Sequence, residues 1–224
     1  MEERGYFEYK FGERVYMPED ITFIERGFYD LYYNEDEENP LFRVHIPSTV
    51  KRIGDQAFYC VQSLLAVSFA GMSHIEHIGA FAFAQCYDLE RFDFKGLDCL
   101  KIIEQGAFSH TRLKDVDLSK CPLMFVGPYA FGDNTHLLHV TWCERELWDA
   151  VSADAVPHRC FVNCENLISF SGDSCYDDRY LEYIGSNAFK GCNNIQEFKV
   201  HPDCKIGEGN EVLNDTVDCE WDLD

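Results

Sequence analysis

Basic residues are scarce in this sequence. Nineteen Lys and Arg stand against 40 Asp and Glu, a formal net charge of −21, so the chain repels phosphate backbones and anionic membrane surfaces, and nucleic acid is not an expected partner. Long apolar runs are missing too. Stretches such as "LLAVSFAGM" (Leu64–Met72) fall well short of the ~20 residues that span a bilayer, and "MEERGYFEYKFGERVYM" has neither the cationic start nor the apolar block of a secretory signal. Membrane insertion is therefore not expected, and the expected compartment is the cytoplasm. Chemical motifs are equally absent: no CxxC pair, no phosphate-cradling glycine loop, no nucleophile elbow and no kinase-like set occurs. His74 with His77, and His136 with His139, have HxxH spacing without the Glu and helix of a zincin. His158, Cys160 and Cys164 in "HRCFVNC" lack the paired spacing of structural zinc. "GDSCYDD", Gly172 to Asp178, lacks the ligand period of an EF-hand and reads as a solvated acidic loop. Nothing converges on a nucleophile, an acid–base pair or a cofactor, so the expectation is a protein that is not an enzyme, with no cofactor and no metal.

Apolar material is plentiful by contrast. With 224 residues, 46% hydrophobic and 15% aromatic, the chain can bury a sizeable core. Eleven cysteines, an odd count, are scattered through a chain too large to need staples, and they read as buried thiols acting as small hydrophobes.

Self-similarity organises the rest. An apolar residue, often followed by Gly, precedes Ala-Phe by five positions. A Leu or Ile six beyond the Phe, or five in the third unit, then opens an alternating apolar stretch. The phrase begins at Ile53, Ile78, Ile103, Val126, Val156 and Ile184, with the Phe at 58, 83, 108, 131, 161 and 189. The spacings between successive Phe are 25, 25, 23, 30 and 28 residues. "RVYMPEDITFIERGF" (Arg14 to Phe28) parallels "RVHIPSTVKRIGDQAF" (Arg43 to Phe58) and supplies a degenerate earlier unit. Two insertions interrupt the array. "YDLYYNEDEEN" carries four consecutive acids, Glu35 to Glu38, and reads as a loop; "CERELWDAVSADA" fits a short helix with Leu147, Ala150 and Val151 inward. In each unit the Leu or Ile and the residues three and five later are apolar (Leu89, Phe92, Phe94; Leu113, Val116, Leu118; Ile195, Phe198, Val200), as a half-buried strand requires. A unit this short cannot bury its own apolar face, so the units stack, strand beside strand, in a parallel sheet along the array.

"IPSTVKRIGDQAF" with the "L..V.F" that follows resembles the BspA-like leucine-rich repeat, and the resemblance runs over about residues 14–200. It implies an α/β-type repeat solenoid: a curved leucine-rich repeat array with one short parallel strand per unit and irregular or short helical or 3-10 turns on the other side. The expected division is a cap over 1–13, about seven units over 14–200 and an acidic cap or tail over 201–224. In such repeats the residue three after the Phe faces inward toward turn backbone groups. Cys86, Asn134, Cys164 and Cys192 hold that place, whereas Cys60 is one residue out of register with Val61 in the column.

The residues between the buried ones of each strand point outward and align in files. One file reads Arg43, Ala66, Arg91, Asp115, His139, Ser169, Glu197; the next reads His45, Ser68, Asp93, Asp117, Thr141, Ser171, Lys199. Repeat proteins bind through such extended faces. The expected function is a protein-protein interaction scaffold whose partner has a basic surface, with Arg91, Asp93, Asp115, Asp117, His139 and Thr141 as the recognition centre. Trp221, Asp222 and Leu223 in the acidic tail are a possible second contact, set against a cap role for Trp221. Two other readings stand beside this one: a structural subunit contacting its neighbours through the inserts and tail, and a surface adhesin or host-directed effector, which the resemblance implies for secreted members.

Overall fold

In the computed structural model, residues 14–17, 19–26, 42–143, 155–172 and 181–213 are described. The expected cap over 1–13, the acidic run Glu35–Glu38, the helix expected around Leu147, Ala150 and Val151, and the tail contacts Trp221, Asp222 and Leu223 lie outside these residues.

Among them the chain forms a parallel β-solenoid of sixteen short strands and two 3-10 turns. The odd strands are β1 (Arg14–Tyr16), β3 (Phe42–Ile46), β5 (Leu64–Phe69), β7 (Arg91–Phe92), β9 (Asp115–Asp117), β11 (His139–Thr141), β13 (Ser169–Ser171) and β15 (Glu197–Lys199). The even strands are β2 (Phe23–Ile24), β4 (Arg52–Ile53), β6 (His77–Ile78), β8 (Ile102–Ile103), β10 (Phe125–Val126), β12 (Ala155–Val156), β14 (Tyr183–Ile184) and β16 (Lys205–Ile206). Odd strands pair only with odd and even only with even, as β1-β3-β5-β7 and β9-β11-β13-β15 on one wall and β2-β4-β6-β8-β10 and β12-β14-β16 on another.

Each unit thus carries two strands where one was expected. The even strand has two residues, one outward and one inward in all but the terminal β16, too few to register as an alternating pattern in sequence. Its inward residue is the apolar residue that opens the phrase: Ile53, Ile78, Ile103, Val156 and Ile184 are fully buried and Val126 nearly so. The Gly that often follows reflects the close approach of the preceding coil: a Cβ on Gly54 would lie 2.7 Å from the Ile24 carbonyl oxygen, and one on Gly79 2.6 Å from the Asp55 amide nitrogen.

Between the even and odd strands the Ala-Phe step builds the core. The six Phe rings form an unbroken ladder, parallel-stacked at 5.0, 5.3, 5.5, 5.5 and 5.3 Å between centroids. Backbone bonds run beside it: the Phe58 amide donates to the Ala82 carbonyl at 2.7 Å, Phe83 to Ala107 at 2.8 Å, Phe108 to Ala130 at 2.8 Å, Phe131 to Cys160 at 3.0 Å and Phe161 to Ala188 at 2.8 Å. The strand triads expected to face inward are buried throughout.

Both walls break once while this ladder continues. The odd wall parts between β7 and β9, where Asp93 caps a 3-10 turn at Phe94–Gly96 and the chain leaves the strand early. The even wall parts between β10 and β12. At the equivalent position in other units a residue donates its amide to the preceding strand, as Gly79 does to Ile53 and Glu104 to Ile78, both at 2.9 Å. Pro157 has no amide to give.

The C-terminal end of the ladder is closed by Asn210. Its Oδ1 accepts the Phe189 amide at 2.9 Å, and its Nδ2 donates to the Gly185 and Gly207 carbonyls at 3.0 and 2.7 Å. A second 3-10 turn, Glu211–Leu213, follows and buries Leu213.

Candidate functional site

Strand register brings the outward files together as expected within each half of the odd wall. Arg43 pairs with Ala66 and Ala66 with Arg91; Asp115 pairs with His139, His139 with Ser169 and Ser169 with Glu197. In the second file Asp117 pairs with Thr141 and Thr141 with Ser171. The wall's break lies inside the six-residue centre: Arg91 and Asp93 sit on one side of it, and Asp115, Asp117, His139 and Thr141 on the other.

The six side chains are engaged to different degrees. Asp93 accepts the Lys95 amide at 3.2 Å as the cap of the 3-10 turn. Lys95 bridges the break, its Nζ 3.2 Å from Asp117 Oδ2, while Asp117 Oδ1 accepts the Ser119 hydroxyl at 2.6 Å and the Ser119 amide at 3.1 Å. Partial burial pushes the Asp117 carboxyl up, but the Ser119 bonds and the Lys95 ammonium outweigh it and hold it below the usual carboxylate value. His139 Nδ1 lies 2.8 Å from Ser169 Oγ in the next unit. Arg91 and Asp115 are exposed and make no side-chain bond or ion pair to another described residue. Thr141 is exposed beside them.

The inward column behaves as the resemblance implies. Cys86 Sγ donates to the Phe58 carbonyl at 3.0 Å, Cys164 to Phe131 at 3.2 Å and Cys192 to Phe161 at 3.0 Å. Asn134 does more, donating to Phe108 at 2.8 Å and Phe131 at 2.9 Å while its Oδ1 accepts the Thr111 amide and hydroxyl at 2.7 and 2.6 Å. Val61 is buried in the same column and Cys60 is exposed, as their register requires. Burial drives the thiols upward: Cys121 to about 12, with Cys86, Cys160 and Cys164 well above the ordinary thiol value.

Sequence reasoning missed the even wall as a surface. Its outward file reads Phe23, Arg52, His77, Ile102, Phe125, in register from β2 to β10. Phe23 and Phe125 are about half exposed, Met124 lies beside Phe125, and the Arg52 guanidinium stands 5.8 Å over the Phe23 ring. The residue just before each repeat's opening Ile or Val is the signal that would have found it. His77 is partly buried in this file, with Nε2 3.2 Å from Glu104 Oε1.

The BspA type Leucine rich repeat region model matches the chain in six copies, over residues 30–147 and 150–210. The chain belongs to this family. No curated protein matches it. Among solved structures, a leucine-rich repeat protein from Eubacterium ventriosum is 15% identical, with 84% of this chain and 54% of that one covered at a TM-score of 0.49. One from Bacteroides ovatus is 18% identical, with 90% and 61% covered at 0.48. The T. pallidum leucine rich repeat protein is 21% identical, with 85% and 87% covered at 0.47. The chain spans less than two thirds of the length of the first two. Among the described residues no helix is long and apolar enough to cross a membrane, and no group of three His, Cys, Asp or Glu is placed to hold a metal ion.

Proposed function

We propose that this BspA-type repeat is a non-enzymatic, cytoplasmic scaffold that binds a protein through the odd-strand face, around Arg91, Asp93, Asp115, Asp117, His139 and Thr141. The partner's contact surface is basic. One observation carries the reading: strand register lines Asp115 and Asp117 up with His139 and Thr141 on an exposed, rigid face, with Asp115 left unpaired. A carboxylate on a strand whose backbone is fixed by its pairing with β11 suits an Arg or Lys of a docked protein better than a carboxylate on a loop. The cytoplasmic assignment is supported by the thiols. Six of the nine described cysteines are buried within the coils, a use of cysteine typical of reducing compartments.

Affinity capture from the native source tests the reading, comparing wild type with an Asp115→Lys/Asp117→Lys variant and a chain truncated after Val200, read by mass spectrometry. Loss of one basic protein from the charge-reversed sample is the expected outcome. Equal recovery by wild type and the charge-reversed chain, with loss only on truncation, refutes the placement and moves the contact to the tail around Trp221, Asp222 and Leu223.

A further inference from the structure

The odd-strand face changes sign at the break in its wall. On the C-terminal side the first file reads Asp115, His139, Ser169, Glu197. On the N-terminal side it reads Arg43, Ala66, Arg91 in consecutive register, two arginines and no acid. In a chain with 40 acids and 19 bases a carboxylate to pair with each is easily found. None is used. Arg43 and Arg91 are both exposed, and neither forms an ion pair or side-chain hydrogen bond with a described residue. Three other surface cations are paired across coils: Lys101 with Glu76 at 3.1 Å, Lys95 with Asp117 at 3.2 Å, and Arg112 with Asp88 and Glu90 at 3.7 Å.

Ala66 gives the pair its shape. Arg43 and Arg91 lie two strands apart, about 10 Å between Cα atoms at the normal strand spacing. The side chain between them is a single methyl, 9% exposed. Two guanidiniums therefore wall a shallow slot with an apolar floor, wide enough for one carboxylate to be gripped from both sides. The second file adds Ser68 beside His45, with His45 Nδ1 3.0 Å from Ser68 Oγ.

We infer that Arg43, Ala66 and Arg91 form a receptor slot for a carboxylate-bearing protein segment. This rests on the proposed use of the same face and refines it: the bound segment carries an acid over β3–β7 and a base over β9–β11, so it lies along the solenoid in one direction only. Charge complementarity selects the occupant. A polyanion such as nucleic acid meets the slot but is repelled by the chain's −21 and by the Asp115 half, whereas a segment of mixed sign satisfies both halves.

The test uses the full chain and two fluorescein-labelled peptides, one with alternating Glu and Thr and one with alternating Lys and Thr, in fluorescence anisotropy at low ionic strength. The Glu peptide is expected to bind saturably and to lose at least tenfold in affinity on Arg43→Gln/Arg91→Gln, while Lys190→Gln, an exposed cation away from the slot, leaves it unchanged. The Nε–Hε NMR signals of Arg43 and Arg91 are expected to shift on its addition. No saturable Glu-peptide binding, equal affinity in the double variant, or tighter binding of a phosphoserine peptide or an oligonucleotide overturns the inference. The Lys peptide reports separately on Asp115: failure there with a positive Glu-peptide result removes the basic-partner reading while leaving the slot.

Discussion

Asn134 and the cysteines of its column illustrate how one position tunes the solenoid. An amide with two donors and a carbonyl satisfies two backbone carbonyls and the Thr111 amide and hydroxyl at once, whereas a thiol donates once and weakly. Asn134→Ala leaves several buried groups without partners and is expected to cost about 3 kcal/mol, while Cys164→Ala costs about 1 kcal/mol. Urea unfolding of the two variants measures the difference, and equal losses would show that the column serves by volume rather than by hydrogen bonding. The column's position was legible in sequence because the Phe sets its register. That Thr111 joins Asn134 was not, since the bond crosses between units and depends on coil spacing.

At the scale of elements, the turn flanking each Phe imposes a backbone demand that residue identity conceals. The residues two before and two after the Phe adopt left-handed φ in every complete unit: Gln56, Phe81, Gly106, Tyr129, Arg159 and Asn187, then Cys60, Gln85, His110, Asp133, Asn163 and Gly191. Only two of the twelve are Gly, so the usual marker of this conformation is mostly missing. The turns are held instead by backbone bonds to the next coil, such as Gln56 to Ala80 and Cys60 to Ala84, both at 2.9 Å. The even wall carries a pH response of its own. Burial lowers the His77 pKa and the neighbouring Arg52 guanidinium lowers it further, against Glu104 and Asp55, which raise it. Because the unfolded chain then binds the proton more tightly, stability is lost as pH falls through the ordinary His value of about 6.5. Thermal unfolding of wild type and His77→Gln between pH 7.5 and pH 5 should show a smaller drop for the variant, and identical slopes would remove His77 as a contributor.

Across the whole molecule, stability is distributed along the Phe ladder, which crosses both breaks in the walls. Such arrays behave as chains of nearest-neighbour contacts. Cys86, Cys160, Cys164 and Cys192 lie within that continuous core, while Cys60 is exposed. A thiol-reactive probe at pH 8 should label Cys60 promptly and the four buried thiols only at the rate of coil opening, with peptide mass spectrometry reading each site. Prompt labelling of Cys164 or Cys192 would mean that the C-terminal coils open independently of the rest.

The sequence by itself determined the repeat, the inward triads, the Ala-Phe step and the order of residues in each outward file, because these follow from spacing and from the two-residue period of a strand. The tertiary structure decided what spacing cannot carry. Two-residue strands are too short to leave a periodic signature, so the second wall and its Phe23 to Phe125 file emerged only from pairing. The breaks depend on a missing amide at Pro157 and a capped turn after Asp93, which act only where coils meet. Which charges are spent was likewise a matter of distance between coils: Asp117 is held by Lys95 and Ser119, while Arg43, Arg91 and Asp115 remain open on the face.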